Sequence, residues 1–211
     1  MANDAKFLAY TITAPLADGL RPTVRIGSGW PSNTETTLFP ASQTNNTYWI
    51  VILSAQNPTQ KVTEWVVPAV NAAPPAGIET YMDNPAYIFA VVTSSLRTVN
   101  VPLDAFYNFL AKYGAGTELQ KLEQIHSVFG YTGFARSGYI LTGPCGPRTP
   151  VAPQSYEVAT YNAFNAQTLL PALLLMSLQS LPTGQPPYGI IEAHTWLPRP
   201  PAGMLGEESQ H

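Results

Sequence analysis

The segments AYIFAVVT (residues 86–93) and SGYILTG (residues 137–143) frame the part of the chain that decides the fold. Both are apolar and rich in β-branched or aromatic residues, a composition typical of strands inside a sheet. Between them, residues 105–113 and 117–129 carry apolar side chains at helical spacing. Residues 86–146 are therefore predicted to form a strand, two helices and a second strand.

Proline and glycine set the predicted ends of these helices. Pro102 stands where the first turn of a helix favours proline, and Gly114 and Gly116 stop the first helix. Thr117 and Gln120 form a capping-box pattern, which predicts that the Thr117 hydroxyl caps the second helix.

Other segments with strand composition lie on either side of this unit. The run YWIVILS (residues 48–54) is almost entirely apolar and predicts a central strand buried on both faces. The alternating run KVTEWVV (residues 61–67) follows after a turn and predicts its hairpin partner. Further strands are predicted at 6–13, 23–28 and 188–197, whereas 78–81 and 156–166 fit either a helix or a strand.

The run 169–181 is predicted to be a short apolar helix with Pro171 in its first turn. Apolar residues occupy most of its circumference, so we expect this helix to be buried against the core or against another subunit. The candidate residues of a subunit interface on this helix are Leu170, Leu174 and Leu178.

These elements predict an α+β fold, with antiparallel, β-sandwich-like sheets and two or three helices packed on one face. Residues 1–146 are predicted to form the core domain, and residues 147–154 a proline-rich spacer. Residues 155–197 supply a C-terminal helix and strand that complete the same domain. Residues 198–211, rich in Pro, Gly and Glu, are expected to be a flexible tail.

The chain carries few charges. Of its 211 residues 45% are hydrophobic and only 11% are charged, against about 25% charged in an average globular protein. Ten Lys and Arg residues are scattered along a chain of net charge −3, so nucleic-acid binding is disfavoured. A polar, uncharged surface suits extended contacts with glycans or with copies of the same chain, and suits a stable monomer equally well.

Cysteine usage and hydropathy exclude several further classes. With Cys145 alone, no intrachain disulfide and no thiolate metal cluster can form, and the sequence predicts no metal or cofactor. The longest apolar run, residues 169–175, is too short for a transmembrane segment. The first ten residues lack the apolar core of a secretory signal, which predicts a cytoplasmic protein or one exported without a cleaved signal peptide.

Two residues near the C terminus suggest chemistry. Glu192 and His194 lie two apart in a predicted strand and therefore share a face, where a carboxylate can orient an imidazole. A nucleophile or a further metal ligand would have to come from elsewhere in the chain. His126, beside the apolar positions of a helix, and Cys145, in a tight turn, fit structural roles better.

Aromatic residues are numerous beside so little charge. Trp49 and Trp65 fall in predicted strands, where we expect burial. Trp30 and the loop at 42–48 are better candidates for a surface that stacks on sugars or contacts proteins. The predicted ligand-binding residues are Trp30, Asn46 and Tyr48.

Five pieces of the chain follow one another in a recognisable order. They are VRIGSG (24–29), the hairpin from Trp49 to Trp65, IFAVVT (88–93), FLAKYG (109–114) and RSGYILTG (136–143). The last piece, an Arg-x-x-aromatic-x-x-x-Gly pattern, comes after a helix. In this order the chain resembles the interleukin-like epithelial–mesenchymal-transition inducer domain, also called the ILEI-type or GG domain.

The resemblance implies a β-sandwich of antiparallel sheets flanked by helices. Members of that family are secreted signalling-like proteins or glycan-binding appendages of glycosyltransferases, without catalysis of their own. The present chain lacks their disulfide cysteines and a signal peptide, and it adds residues 155–211. The resemblance therefore favours a binding or assembly role over a cytokine-like one.

The sequence thus predicts a non-catalytic binding or structural module that forms homo-oligomers through the 169–181 helix or the proline-rich segments, with a carbohydrate as a candidate ligand. The alternative is a hydrolase or transferase that uses Glu192 and His194. A third hypothesis, a subunit of a particle or sheath, rests on the low charge and the proline-rich arms.

Overall fold

A computed structural model gives the arrangement of the chain and contains eleven strands and three α-helices in its described part. The strands are β1 (Phe7–Ala14), β2 (Thr23–Gly27), β3 (Glu35–Leu38), β4 (Thr47–Ser54), β5 (Lys61–Pro68), β6 (Tyr87–Ser94), β7 (Leu96–Arg97), β8 (Arg136–Pro144), β9 (Tyr156–Asn162), β10 (Ala172–Gln179) and β11 (Gly189–Thr195). The helices are α1 (Glu79–Met82), α2 (Asp104–Lys112) and α3 (Thr117–Phe129). The structure describes residues 6–28, 34–42, 44–70, 72–129, 136–147, 155–162, 170–181 and 183–195.

The strands form two antiparallel sheets. One has five strands in the order β11-β10-β1-β2-β3, and the other has six, in the order β5-β4-β6-β8-β7 with β9 along the opposite edge of β8. β6 and β7 pair with the same edge of β8. β7 therefore continues the line of β6 after a break at Ser95. The predicted α+β, sandwich-like arrangement is confirmed, in a protein that is mostly β.

The six-stranded sheet is the middle layer of the molecule. One of its faces packs against the five-stranded sheet, and the other packs against the helices. Every residue of β4 except Ser54 is buried, which confirms the predicted central strand. Within it, Trp49 and Val51 point into the core between the sheets, whereas Ile50 and Ile52 point toward the helices.

The two sheets are joined by polar contacts as well as apolar packing. The hydroxyl groups of Tyr10 and Thr142 lie 3.2 Å apart across the core. The Thr142 hydroxyl in turn donates a hydrogen bond to the Phe89 carbonyl oxygen, so these buried groups are satisfied. Burial raises the pKa of Tyr10, which keeps its phenol neutral in the core.

A carboxylate from another layer caps α3. Glu157 of β9 accepts hydrogen bonds from the backbone N–H groups of Gly116, Glu118 and Leu119 and from the Tyr139 hydroxyl. The Tyr139 ring is buried, and this burial, together with the neighbouring Glu157 charge, raises its pKa well above the usual value. Glu157 therefore satisfies N–H groups that a helix leaves without internal partners.

The predicted capping box is wrong. α3 begins at Thr117, and the Gln120 N–H donates to the Gly116 carbonyl oxygen. Thr117 is thus the first helical residue and not the cap, because the long-range carboxylate of Glu157 occupies the position that a local hydroxyl was expected to fill.

The predicted helix at 169–181 is also wrong, since this run forms strand β10. Alternate residues of β10 are buried, and all eight pair with β1. A short apolar run fits a helix or a strand equally well. Pairing with β1 satisfies the backbone groups of both strands and places one apolar face of β10 in the core.

The structure also decides the segments that the sequence left open. Residues 79–82 form α1, and residues 156–162 form β9. The strands β9, β10 and β11 all pair with one another or with strands from the first 146 residues. The spacer from 148 to 154 and the predicted tail from 198 lie outside the described residues.

None of the helices in the described part of the chain is long and apolar enough to cross a membrane.

Replacing Glu157 tests the cap on α3. Glu157→Gln removes the negative charge that the N–H groups contact and should lower the free energy of unfolding by about 2 kcal/mol. Urea unfolding measures this change. The control is Glu123→Gln on the exposed side of α3, which should leave the stability within about 0.5 kcal/mol. Equal effects of the two substitutions would contradict the assigned role of Glu157.

Gly138 lies at a close approach of the two sheets. A Cβ atom at this position would lie 2.8 Å from Leu16 Cδ1 and 3.0 Å from the Ala14 carbonyl oxygen. Because a backbone oxygen cannot move aside, Gly138→Ala should destabilise the fold by about 1–3 kcal/mol in thermal or urea unfolding. Gly189→Ala is the control, since nothing lies within 4 Å of its Cβ position. A Gly138→Ala protein as stable as that control would refute the close approach.

Candidate functional site

Two of the three predicted ligand-binding residues, Asn46 and Tyr48, make hydrogen bonds within the fold. Tyr48 is buried, and its hydroxyl donates to the Asn100 carbonyl oxygen at 2.8 Å. The Asn46 amide donates to Asn100 Oδ1 at 3.0 Å and accepts the Arg97 N–H at 3.0 Å, so both ends of this side chain are engaged. The prediction is wrong for Tyr48, because its ring is packed in the core, and it stays a prediction for Asn46. Trp30 lies outside the described residues.

The predicted subunit interface is corrected as well. Leu174 and Leu178 are fully buried between the two sheets, because they lie on the inward face of β10. Leu170, just before that strand, is 42% exposed. Two of the three leucines therefore belong to the chain's own core and are not available to another copy.

For the catalytic alternative, the structure describes the backbone of Glu192 and His194 but not their side chains. Glu192 and His194 lie two residues apart on β11, opposite Ser177 and Leu175 of β10. Their side chains lie outside the described part of the structure. Among the described residues, no three His, Cys, Asp or Glu side chains gather in a way that could hold a metal ion.

The other two reactive residues are in structural positions. His126 Nδ1 lies 3.0 Å from the Thr98 carbonyl oxygen, a contact that joins α3 to the turn after β7. Cys145 is buried, and its N–H donates to the Tyr87 carbonyl oxygen at 2.9 Å. Neither arrangement offers a nucleophile to solvent.

An open sheet surface is the most distinctive feature of the described structure. The helices pack on the six-stranded sheet, and in the described part of the chain the five-stranded sheet presents its other side to solvent. We call this side the outer face. Its side chains alternate with buried ones and come from Phe7, Ala9, Thr11 and Thr13 of β1, Leu173, Leu175, Ser177 and Gln179 of β10, Thr23, Arg25 and Gly27 of β2, and Glu35 and Thr37 of β3.

The outer face mixes apolar side chains with uncharged polar ones around one described ion pair. Its described charged side chains are Arg25 and Glu35, whose Nε and Oε1 atoms lie 3.8 Å apart. An exposed pair of this kind adds little stability, but it cancels the charge. The small residues Ala9 and Gly27 lie beside this pair and line a shallow depression of about 240 Å³.

A mostly apolar groove lies at one end of the outer face. It has a volume of about 440 Å³, and its lining includes Thr13, Leu16, Leu20, Phe39 and Pro171. Leu20 and Phe39 are 55% and 42% exposed. At the other end of β1, the Phe7 side chain is 56% exposed. The face thus carries a projecting ring at one end and an apolar recess at the other.

The wall of the groove is tied to the other sheet. The loop between β1 and β2 is held by Ser95, whose N–H donates to the Pro15 carbonyl oxygen and whose hydroxyl contacts the Leu16 carbonyl oxygen, each at 2.9 Å. The Ser95 hydroxyl also donates to the Asp18 carboxylate, which Arg136 contacts at 3.4 Å. Ser95 has a φ of 45°, a left-handed conformation that interrupts β6 and β7 at this contact.

The anchor at Asp18 depends on its negative charge. The Ser95 hydroxyl, and next the Arg136 guanidinium, hold the pKa of the Asp18 carboxyl below its usual value. Because the folded-state pKa is lowered, the contribution is fully present at neutral pH and is lost as the pH falls through that lowered pKa. The Asp18 side chain is half exposed, so the effect on stability is small.

One aromatic cluster was not foreseen, because its members come from three different elements. Trp65 and Tyr81 have ring centres 5.7 Å apart, and Tyr81 and Tyr87 have theirs 5.8 Å apart. The rings meet at 69° and 43°, so they pack on one another and do not form a flat platform for a sugar.

A local signal could have revealed the outer face. In the segment FLAYTITA (residues 7–14), apolar Tyr10, Ile12 and Ala14 alternate with exposed or half-exposed positions. Such alternation predicts a strand with one buried and one open side. What it cannot predict is whether a further layer covers the open side.

In comparisons with known proteins, no family model, no curated protein and no solved structure matches the chain. The resemblance to the ILEI-type domain therefore stays a prediction.

Proposed function

We propose that this protein is a non-catalytic assembly module that binds a second copy of itself through the outer face. The observation that carries the proposal is the open side of the five-stranded sheet, which exposes apolar side chains and carries no net charge among its described residues. Phe7 and Leu175 are exposed on this face, with Leu20, Phe39 and Leu170 at its rim. Exposed apolar side chains grouped in this way are typical of interaction sites.

The size of the outer face supports a modest interface. Five strands about 4.8 Å apart and up to eight residues long cover about 20 Å by 25 Å. Two such faces packed together would bury about 1,000 Å², the size of a weak, transient interface. The exposed rim residues Leu20, Phe39 and Leu170 would enlarge this area.

The electrostatics of the face favour an identical partner. A strongly charged face would repel its own copy, whereas among the described side chains of the outer face Arg25 and Glu35 offset each other. The low charge of the whole chain, 11% of residues, acts in the same direction because it weakens repulsion between copies. Self-association through the outer face replaces the predicted contact through a 169–181 helix.

The other functional hypotheses stay predictions. A glycan ligand rested on Trp30, Asn46 and Tyr48, of which Tyr48 is buried and Asn46 is engaged internally. The hydrolase or transferase alternative rests on Glu192 and His194, whose side chains lie outside the described part of the structure.

Placing a charge at the centre of the outer face tests the proposal. Leu175 is 38% exposed and lies opposite Thr11, so Leu175→Glu should bury like charges between the two copies. We expect the dissociation constant of the dimer to rise by at least about tenfold. Sedimentation equilibrium or light scattering across a concentration series measures it.

The matched control is Val128→Glu, an equally charged change at an exposed position of α3, which packs on the other sheet. This variant should keep the wild-type dissociation constant. Circular dichroism and urea unfolding confirm that both variants fold. A wild-type protein that stays monomeric at the highest concentration, or a dimer that Leu175→Glu does not weaken, would overturn the proposed function.

A further inference from the structure

We infer that the two copies pair about a two-fold axis that crosses the strands of the outer face, so that Phe7 of each copy enters the apolar groove of the other. The inference rests on the proposed function, because it specifies how that self-association occurs. It names the anchor residue, the recess that receives it and the relative direction of the strands.

The positions of anchor and groove along β1 lead to this arrangement. Phe7 lies at the start of β1, and Thr13, which lines the groove, lies near its end. Six residues of strand separate them by about 20 Å. An axis that lies between the two faces and crosses β1 at Tyr10 exchanges these two ends. Each Phe7 then lies over the groove of the second copy.

The groove is large enough for the ring. A cavity of about 150 Å³ lined by apolar side chains holds a benzene molecule, and the groove measures about 440 Å³. Its lining is mostly apolar, with Leu16, Leu20, Phe39 and Pro171 available to a phenyl ring. Arg21 also lines the groove, and a guanidinium is compatible with the face of an aromatic ring. A fully buried aromatic side chain hides about 150–250 Å² from water. Phe7 is 56% exposed, so its enclosure removes the exposed part of this area, and it does so twice in a symmetric pair.

The centre of the face permits the same arrangement. Ala9 and Thr11 of β1, with Ser177 of β10 and Gly27 of β2, are small. Facing sheets pack about 10 Å apart, a spacing that also accommodates larger side chains such as Leu175 between them. No large described side chain separates Phe7 from the groove along β1.

Charge placement selects this axis over the alternative one. An axis across the strands brings Arg25 of one copy over Gly27 of the second copy, beside its Glu35. An axis along β1 would instead place Arg25 over Leu175 and bury the guanidinium against an apolar side chain. The first arrangement brings opposite charges of the two copies together, whereas the second desolvates Arg25 and leaves it only the Glu35 of its own copy.

Truncating the anchor is the first test. Phe7→Ala should raise the dissociation constant of the dimer by about tenfold to a hundredfold, because two rings per dimer lose their enclosure. The control is Tyr161→Ala, an exposed aromatic residue on β9 at the edge of the other sheet, which should leave the constant unchanged. Sedimentation equilibrium at several concentrations compares both variants with the wild type.

Disulfide cross-linking then fixes the axis. A mixture of Phe7→Cys and Leu20→Cys proteins should form a disulfide-linked heterodimer under mild oxidation, since the axis brings these positions together. Phe7→Cys alone should form none, because its two copies would lie about 20 Å apart. The wild type, with Cys145 buried, is the control for background oxidation.

The outcomes separate the two proposals. A wild-type dimer that Leu175→Glu weakens but Phe7→Ala does not, or a Phe7→Cys protein that cross-links to itself, would overturn the assigned axis and leave the proposed function standing. A wild-type monomer at every concentration would overturn both, and would show that the outer face is covered within one chain or left to solvent.

Discussion

Burial of the six-stranded sheet on both faces is the constraint on which the rest of the structure depends. Strand β4 has almost no side chain that water can reach, so both of its faces require a covering layer. The helices cover one face and the five-stranded sheet covers the other. In the described part of the chain, the helices and the five-stranded sheet both pack on the six-stranded sheet. No further described layer covers the outer face of the five-stranded sheet, which is therefore open. The candidate interaction surface is thus a consequence of the order of the layers.

Long-range polar contacts hold these layers in register. Glu157 joins β9 to the start of α3, and the hydroxyl groups of Tyr10 and Thr142 meet between the sheets. Ser95 ties the loop that forms the groove wall to the interruption between β6 and β7. Each contact satisfies a buried or partly buried backbone or hydroxyl group. The wall of the groove is therefore attached to the central sheet and not only to its own strand.

The candidate site was the least predictable part of the protein. Tyr48 and Leu174 were expected at surfaces, yet both lie in the core, because an apolar residue in a short run does not reveal which layer will cover it. Nothing in the sequence distinguishes Phe7 and Leu20 from other apolar residues, since neither belongs to a motif. They become notable only when the pairing of β1 with β10 and β2 places them at opposite ends of one open face.

The sequence by itself determined the strong local elements. The apolar runs of β4 and β6, the hairpin to β5 and the two helices between β6 and β8 all follow from composition and periodicity, which act within a few residues. Only the tertiary structure decided that 172–179 is a strand, that Glu157 caps α3 and that one face of a sheet stays open. The physical reason is the same in each case: backbone groups and apolar faces were satisfied by partners far away in the chain, and a local pattern carries no information about those partners.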